Sequence, residues 1–384
     1  MLTNSIPFSP EHGPDFFGQF PAATAVFLLH GTDASAEPYV SKTANLRRRL
    51  LRLLSPPESQ SKRLNLRERV AAIEYSLTGS DFEAGLLLYR ILRERFPESY
   101  QKRLRLRTAP VIRFNLENAY PRAYVTTRVG KLSGKSLYYG PFRSRVVAEK
   151  FLNDSLDLFK MRRCTFDLKP DPAFPGCVYS EMKMCLAPCF KGCSDAAYMD
   201  EVQRVQAYFD SRGQSLIGEL ESERERLSAA LDFEGAATQH AKIGKIKTIL
   251  SACDEICNRL DRLDAAIVQP SAEEHTVALF RFHHGELAGP VQFSVETSDE
   301  NLSLEGRVRA ALDQFLPATK RPAQRFSEEL AIVKRWYYRS HKVGEIFFAN
   351  QEGELPFRRI VRGVTRVYRG EKELPAREPK NSDN

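Results

Sequence analysis

Apolar residues fall along this chain in two patterns, short unbroken runs and longer stretches where they recur at helical intervals beneath polar faces. Ala25-Val26-Phe27-Leu28-Leu29 is an unbroken run and predicts a buried strand, closed by a Gly/Asp/Ser turn over 31–35. A second short strand centres on Tyr39-Val40, and leucines spaced beneath an arginine face predict a helix over 42–54. Residues 69–77 read as a third strand, and 81–92 as a leucine-rich helix capped by Ser80 or Asp81. Further helices are predicted over 144–159, 196–211, 215–231 and, capped by Asp232, 233–250. Strands follow at 265–268, 277–282 and 291–293, and Leu330, Val333, Trp336 and Tyr337 mark an amphipathic helix over 327–340.

These elements predict a multidomain α+β chain: a small mixed sheet with helices, a cysteine-rich hub, a helical hairpin and a C-terminal α/β segment. Residues 1–20 are rich in Pro, Gly and Phe without a period and read as an irregular lead-in. A first α/β module spans 21–105, and linker strands with the cysteine-rich segment span 106–195. The helical region covers 196–252, a C-terminal α/β region 253–370 and a polar tail 371–384. No apolar run is long enough to span a bilayer and no signal peptide is evident, so a cytoplasmic location is expected and no membrane partner.

The formal net charge of +8 favours a polyanionic partner, because Lys and Arg displace counterions from phosphates. Its distribution sharpens this. Arg47, Arg48, Arg49, Arg52, Lys62, Arg63, Arg67 and Arg69 crowd one segment, and Lys102, Arg103, Arg105 and Arg107 another. Arg47, Arg48, Arg52, Lys102, Arg103 and Arg105 are the candidate DNA contacts. The competing reading is a solvated helix face.

Five of the seven cysteines lie within thirty positions, at Cys164, Cys177, Cys185, Cys189 and Cys193. Thiols grouped in a reducing compartment point to metal ligation rather than disulfides. The first four are spaced by 13, 8 and 4, which gives a single short pair where zinc sites usually show two. An iron–sulfur cluster suits the spacing equally well, and spacing alone does not choose. His283 and His284 are adjacent on a predicted hairpin and point to opposite faces, which favours a turn over a shared metal ion.

The order strand, strand, helix, strand, helix, with the residues quoted, resembles a GIY-YIG nuclease domain, in particular the N-terminal part of the UvrC family of the UvrABC excinuclease. On that resemblance Tyr39, Lys42 and Arg49 stand at catalytic positions, while Phe27 replaces the first-motif tyrosine and Leu88 the metal-ligating glutamate. Tyr89, one place on, is no carboxylate either, and Glu83 lies on a different helix face. A hard divalent cation wants a carboxylate oxygen, so the resemblance implies a degenerate site, with Mg²⁺ or Mn²⁺ needed only if it is active. The alternative is an active endonuclease making a single incision. Tyr120-Pro121 and Tyr139-Gly140-Pro141-Phe142 continue the similarity past this module.

Arg163-Cys164, Gly176-Cys177 and Met184-Cys185-Leu186-Ala187-Pro188-Cys189 are similar to the family's four-cysteine segment, which implies a [4Fe-4S] cluster on Cys164, Cys177, Cys185 and Cys189, with zinc as the alternative. Leu231-Asp232-Phe233-Glu234-Gly235-Ala236-Ala237 resembles the UVR motif, implying a hairpin that meets a UvrB-like partner through Phe233, Glu234, Ala236 and Ala237, although His240-Ala241 departs from the family's Arg-Asp. The resemblance covers about residues 20–290. On that resemblance, the given residues after 290 are expected to hold neither the family's RNase H-like nor its helix-hairpin-helix domain. The function expected is nucleotide excision repair, with DNA as partner.

Overall fold

The computed structural model describes residues 2–33, 35–56, 64–132, 134–283, 286–296, 302–315 and 322–371. Lys62, Arg63, His284 and the tail beyond 371 fall outside them.

Strands β1 (Asn4–Pro7), β2 (Ala25–Gly31), β3 (Tyr39–Thr43) and β4 (Val70–Leu77) pair antiparallel in the order β1-β4-β2-β3. The two-residue side-chain period sorts the central strand. Ala25, Phe27 and Leu29 pack with Leu46, Leu50 and Leu53 of helix α1 (Leu46–Leu54), while Val26 and Leu28 pack with Ala84 and Ile91 of α2 (Asp81–Arg95). Lys42 and Thr43, expected inside the first helix, belong to β3. The Asn45 side chain accepts the Arg48 N–H at 2.9 Å and starts α1 at Leu46. Ser80 caps α2 in the same way, accepting from Glu83 N at 3.1 Å, and the short α3 (Tyr100–Leu104) follows.

The lead-in is more ordered than its composition suggests. Asn4–Pro7 adds an edge strand to β4, and Phe8, Phe17 and Phe20 are buried, with the Phe20 ring edge-on to Tyr75 at 5.6 Å. These phenylalanines follow neither a helical nor an alternating period, so only their density could have signalled a core.

A second antiparallel sheet, β6-β5-β7-β8, joins β5 (Val111–Asn115), β6 (Arg122–Thr126) and β7 (Ser136–Gly140) to the later β8 (Asn258–Arg259). Helix α4 (Arg145–Leu156) packs on it, and the cysteine segment follows with one short helix, α5 (Val178–Glu181). Next come α6 (Asp195–Asp210) and the antiparallel pair α7 (Gln214–Ala229) and α8 (Phe233–Ser251). Leu216, Ile217, Ile243, Ile246 and Ile249 sink the base of this hairpin into the main core.

The third sheet, β11-β10-β9-β12, comprises β9 (Ala265–Pro270), β10 (Thr276–His283), β11 (Glu286–Ser294) and β12 (Glu345–Phe348). Its two faces again follow the strand period. Ala266, Val268, Val277 and Leu279 meet α9 (Leu304–Asp313) and α11 (Phe357–Tyr368), whereas Ile267, Phe280 and Phe282 share a core with α10 (Ala323–Tyr337).

Helix α10 also packs on α2, so it ties the third sheet to the first module. Phe82 of α2 lies 5.2 Å from Phe280 and 5.1 Å from Trp336 between ring centroids. Beneath them the buried Glu328 carboxylate accepts from Tyr89 Oη and from Tyr100 Oη, each at 2.9 Å. The two sheets also meet at Gly79, where a Cβ would stand 2.0 Å from the Pro270 carbonyl oxygen, so only glycine allows the approach.

Candidate nuclease-like site and cysteine hub

The residues at the nuclease positions divide between the two faces of the first sheet. Tyr39 and Phe27 face α1, their rings 6.2 Å apart, and Arg49 of that helix donates to Tyr39 Oη at 2.9 Å. Phe27 is fully buried and brings no hydroxyl to the pair. Lys42, one strand position from Ser41, faces α2 instead, and there it meets Asp81 in a close ion pair.

Lys42, Asp81 and Leu88 line one cavity of about 170 Å³ with Phe82, Gly85, Leu104, Leu106, Ile332 and Trp336. Arg103, Arg335 and Arg339 complete its wall. Among the described residues Asp81 is the one carboxylate lining it, and it is engaged twice, by Lys42 and by Arg339 Nη1 at 2.6 Å. Burial alone would raise the Asp81 carboxyl, but Lys42 and Arg339 outweigh it and hold it below the usual carboxylate value. Burial lowers the Lys42 ammonium, against the pull of Asp81 and helped by Arg335 and Arg339. Leu88 thus fronts a cavity with four cations and one engaged carboxylate. Among the described residues no three His, Cys, Asp or Glu side chains converge on a point that one ion could fill, here or at the cysteines. Glu83 points elsewhere: its carboxylate accepts the Gly79 N–H at 2.9 Å.

The basic residues singled out in the sequence have different surroundings. Arg47 donates to the Phe20 carbonyl at 2.7 Å and the Gly18 carbonyl at 3.0 Å, and so fastens the N-terminal segment. Arg67 is buried and donates to the carbonyls of Leu54 at 2.6 Å and His12 at 2.9 Å, which removes it from any surface patch. Arg48 and Arg52 are exposed one turn apart on α1, and Lys102 is exposed on α3. Arg103 pairs with Glu37 and lies over the Phe96 ring at 3.9 Å. Arg105 is exposed at the end of α3.

The four hub cysteines share one neighbourhood. Burial raises the Cys164 thiol, Arg162 pulls it back, and Cys177 and Cys189 add to the rise. Burial pushes Cys185 up to about 11, with contributions from Cys164, Cys189 and Cys177. Their backbone is wound tightly: Lys183, Ala187 and Lys191 all have positive φ, and the Ala187 N–H points at Cys185 Sγ, 3.3 Å away. Non-glycine residues in that region cost about 1–3 kcal/mol each unless their surroundings fix them. Cys193 is half-buried outside the quartet, and burial, Asp195 and Cys189 raise it.

Arg162 was not singled out by its sequence context. It is 1% exposed, donates to the Phe166 carbonyl at 2.9 Å through Nη2, and leaves Nε and Nη1 without a partner. An unpaired guanidinium in a protein interior is costly. The orphan N–H groups and the strained loop suit an anionic group on the four thiols, although among the described residues those thiols do not converge on one ion position. The Arg163-Cys164 dipeptide was the available signal; its preceding arginine was not.

The hairpin tip presents Leu231 at 75% exposure and Phe233 at 65%. Leu231 has φ +62, and Asp232 Oδ1 accepts the Gly235 N–H at 2.8 Å, starting α8. Glu234 and Ala237 are exposed beside them and Ala236 is half-buried. At the third sheet His283 Nδ1 lies 2.7 Å from Asp264 Oδ2.

Residues 109–208 match the family described as the UvrC/Cho excinuclease, middle domain. The match takes in β5 to β7, α4, the whole cysteine segment and most of α6. The chain is 26% identical over 325 residues to the UvrABC system protein C of Methanothermobacter thermautotrophicus, covering 83% of this chain and 53% of that protein. It is 28% identical over 288 residues to the UvrABC system protein C of Rickettsia rickettsii, covering 74% and 44%. The chain is thus similar to the N-terminal half of UvrC-family proteins, with the family-model match confined to residues 109–208. It spans about half the length of the curated relatives it matches. No solved structure matches it. Among the described residues no helix is long and apolar enough to cross a membrane.

Proposed function

We propose that this chain is a UvrC-like excision-repair protein that binds DNA and a UvrB-like partner and whose nuclease-like site does not cut. The observation that carries this is the Leu88 cavity. A divalent cation placed there would face Lys42, Arg103, Arg335 and Arg339, and its one carboxylate, Asp81, already serves two of them. Metal-assisted phosphodiester hydrolysis needs the opposite balance, with acidic oxygens gathering the ion. The Tyr39–Arg49 pair favours the second reading, an active endonuclease making a single incision.

Cys164, Cys177, Cys185 and Cys189 would hold a [4Fe-4S] cluster, with Arg162 as the nearby cation. Such a group supplies cross-linking of an otherwise irregular segment, and electron-transfer capacity if its surroundings allow it. We read its role as structural, tying an otherwise irregular segment together. Leu231 and Phe233 at the hairpin tip are the apolar side chains a partner hairpin would cover.

The test is incubation of the purified protein with damaged duplex, UvrA, UvrB, and Mg²⁺ or Mn²⁺. The expected result is binding without nicking. Metal-dependent nicking that disappears in Arg49→Ala would overturn the non-cutting reading and establish the second.

A further inference from the structure

A groove of about 630 Å³ opens beside the Leu88 cavity and shares Leu104, Leu106 and Arg335 with it. Three separate parts of the chain build it. Arg105 and Arg107 come from the segment after α3, Arg143 from the turn after β7, and Lys334 and Arg335 from α10. Among the described residues no acidic side chain lines it. Among the described residues none of these five cations makes an ion pair or a side-chain hydrogen bond.

The adjoining cavity differs. Lys42, Arg103 and Arg339 there are each paired with a carboxylate, so basic residues in this region do find partners when acids are within reach. In the groove the charge is left open. Burial and the nearby Arg107 lower the Lys334 ammonium, which is the mark of like charges crowded in a partly closed space. Arg105 also sits at φ +47, a conformation that glycine or asparagine would adopt more cheaply. Keeping a charged side chain there has no packing reward, since it is exposed.

We infer that this groove binds one strand of nucleic acid by its phosphate backbone. Phosphates alone satisfy several arginines without supplying counter-charged side chains. The concave groove favours a single strand, whose flexible backbone can follow it. Leu104, Leu106 and Ala331 give an apolar wall, and the Tyr338 ring stands at one end, its hydroxyl donating to the Pro141 carbonyl at 3.2 Å. Basic groove plus apolar and aromatic wall is the combination that tracks single strands without reading sequence. The inference rests on the excision-repair reading only in naming the strand as DNA.

The experiment titrates the full-length protein with a fluorescein-labelled deoxythymidine oligomer and with a blunt duplex across a salt series. Arg107→Ala/Arg143→Ala/Lys334→Ala should weaken single-strand binding roughly tenfold or more and reduce the log–log salt slope by roughly 2, at about 0.7 per phosphate contact. Duplex affinity should hold. Arg107→Lys/Arg143→Lys keeps the charge and should retain both affinity and slope, which separates lost contacts from lost folding. Unchanged single-strand binding in the alanine variant would overturn the groove, and an equal loss on duplex would overturn its restriction to single strands. A parent protein that binds no DNA in any form would overturn the repair reading together with the groove, whereas loss of the groove alone leaves duplex binding intact.

Discussion

Arg339, just beyond the end of α10, reaches Asp81, the first residue of α2, with 2.6 Å between Nη1 and Oδ2. The contact carries a C-terminal residue into the cavity that a nuclease would reserve for metal. It does not follow that this ion pair holds α10 in place. Both side chains are substantially solvated, at 39% and 46% exposure, and pairs of that kind contribute about 0–1 kcal/mol. The buried Glu328 carboxylate beneath it accepts from two tyrosine hydroxyls, and hydrogen bonds to a buried charge are worth about 1.5–3 kcal/mol. Tyr89→Phe should therefore destabilise the protein by roughly 1.5–3 kcal/mol and Arg339→Ala by less than about 1 kcal/mol. Urea unfolding of both variants checks the order, and a reversed ranking would show that the exposed ion pair, not Glu328, docks the helix.

Arg162 gives a prediction that does not depend on nuclease activity. If the four thiols hold an anionic cluster, the adjacent buried guanidinium favours the more negatively charged, reduced form. Arg162→Gln should keep the visible absorbance of iron–sulfur protein but move the cluster's midpoint potential to a more negative value, while Cys185→Ala should lose the absorbance, lower solubility and weaken DNA binding. An unchanged potential in Arg162→Gln would remove that residue from the cluster's surroundings, and intact DNA binding in Cys185→Ala would show that the hub does not hold the modules together.

Glu83 supplies a pH dependence. Burial raises its carboxyl above the ordinary 4.5, the Gly79 N–H opposes this, and Glu273 adds to the rise. A carboxyl with a raised folded-state pKa binds its proton more tightly in the native state. Its contribution to stability is therefore greatest at low pH and is lost as pH rises through the folded-state value. Glutamine keeps an acceptor for the Gly79 N–H and carries no charge. Glu83→Gln should accordingly melt above the parent at pH 7, with the difference closing as both are taken below the usual carboxylate range. A variant that melts below the parent at neutral pH would mean that the ionised carboxylate is stabilising where it stands.

The sequence pattern carried the strands and helices well where one face of an element is buried. Helical spacing also separated Glu83 from Leu88, and the structure puts the first against Gly79 and the second in the Lys42 cavity. What the pattern could not carry was pairing across long sequence distances. Nothing local marks Glu328 as the acceptor for Tyr89, 239 residues earlier, or Arg339 as the neighbour of Asp81. Charges were the least legible feature. Arg47, Arg67 and Arg105 look alike in the sequence, but one holds backbone carbonyls at the surface, one does so in the interior, and one lies open in a groove. Burial and partners, not residue type, distinguish them. Tyr39 and Arg49 were named separately, by resemblance, and their hydrogen bond across ten residues of β3 and α1 was not foreseen.

The hairpin tip sets out a clean separation of stability from partner binding. Leu231 and Phe233 stand in solvent at 75% and 65% exposure, while the side chains that anchor the hairpin, Ile243, Ile246 and Ile249, lie well down α8. Exposed apolar residues that support nothing beneath them are costly to keep unless a partner covers them, and Leu231 also holds a left-handed backbone. Replacing both with serine should change unfolding free energy by no more than about 1 kcal/mol, since neither side chain packs on the core although both flank the α7–α8 cap. Asp232 is left intact so that α8 still starts in the same place. The same variant should lose a UvrB-like hairpin as a partner by tenfold or more, about 1.4 kcal/mol, as expected when two central apolar anchors are removed. Calorimetric titration against the isolated partner hairpin reads this directly. Undiminished affinity in a folded double variant would place the contact elsewhere on α7 and α8 and leave the exposed tip without that role.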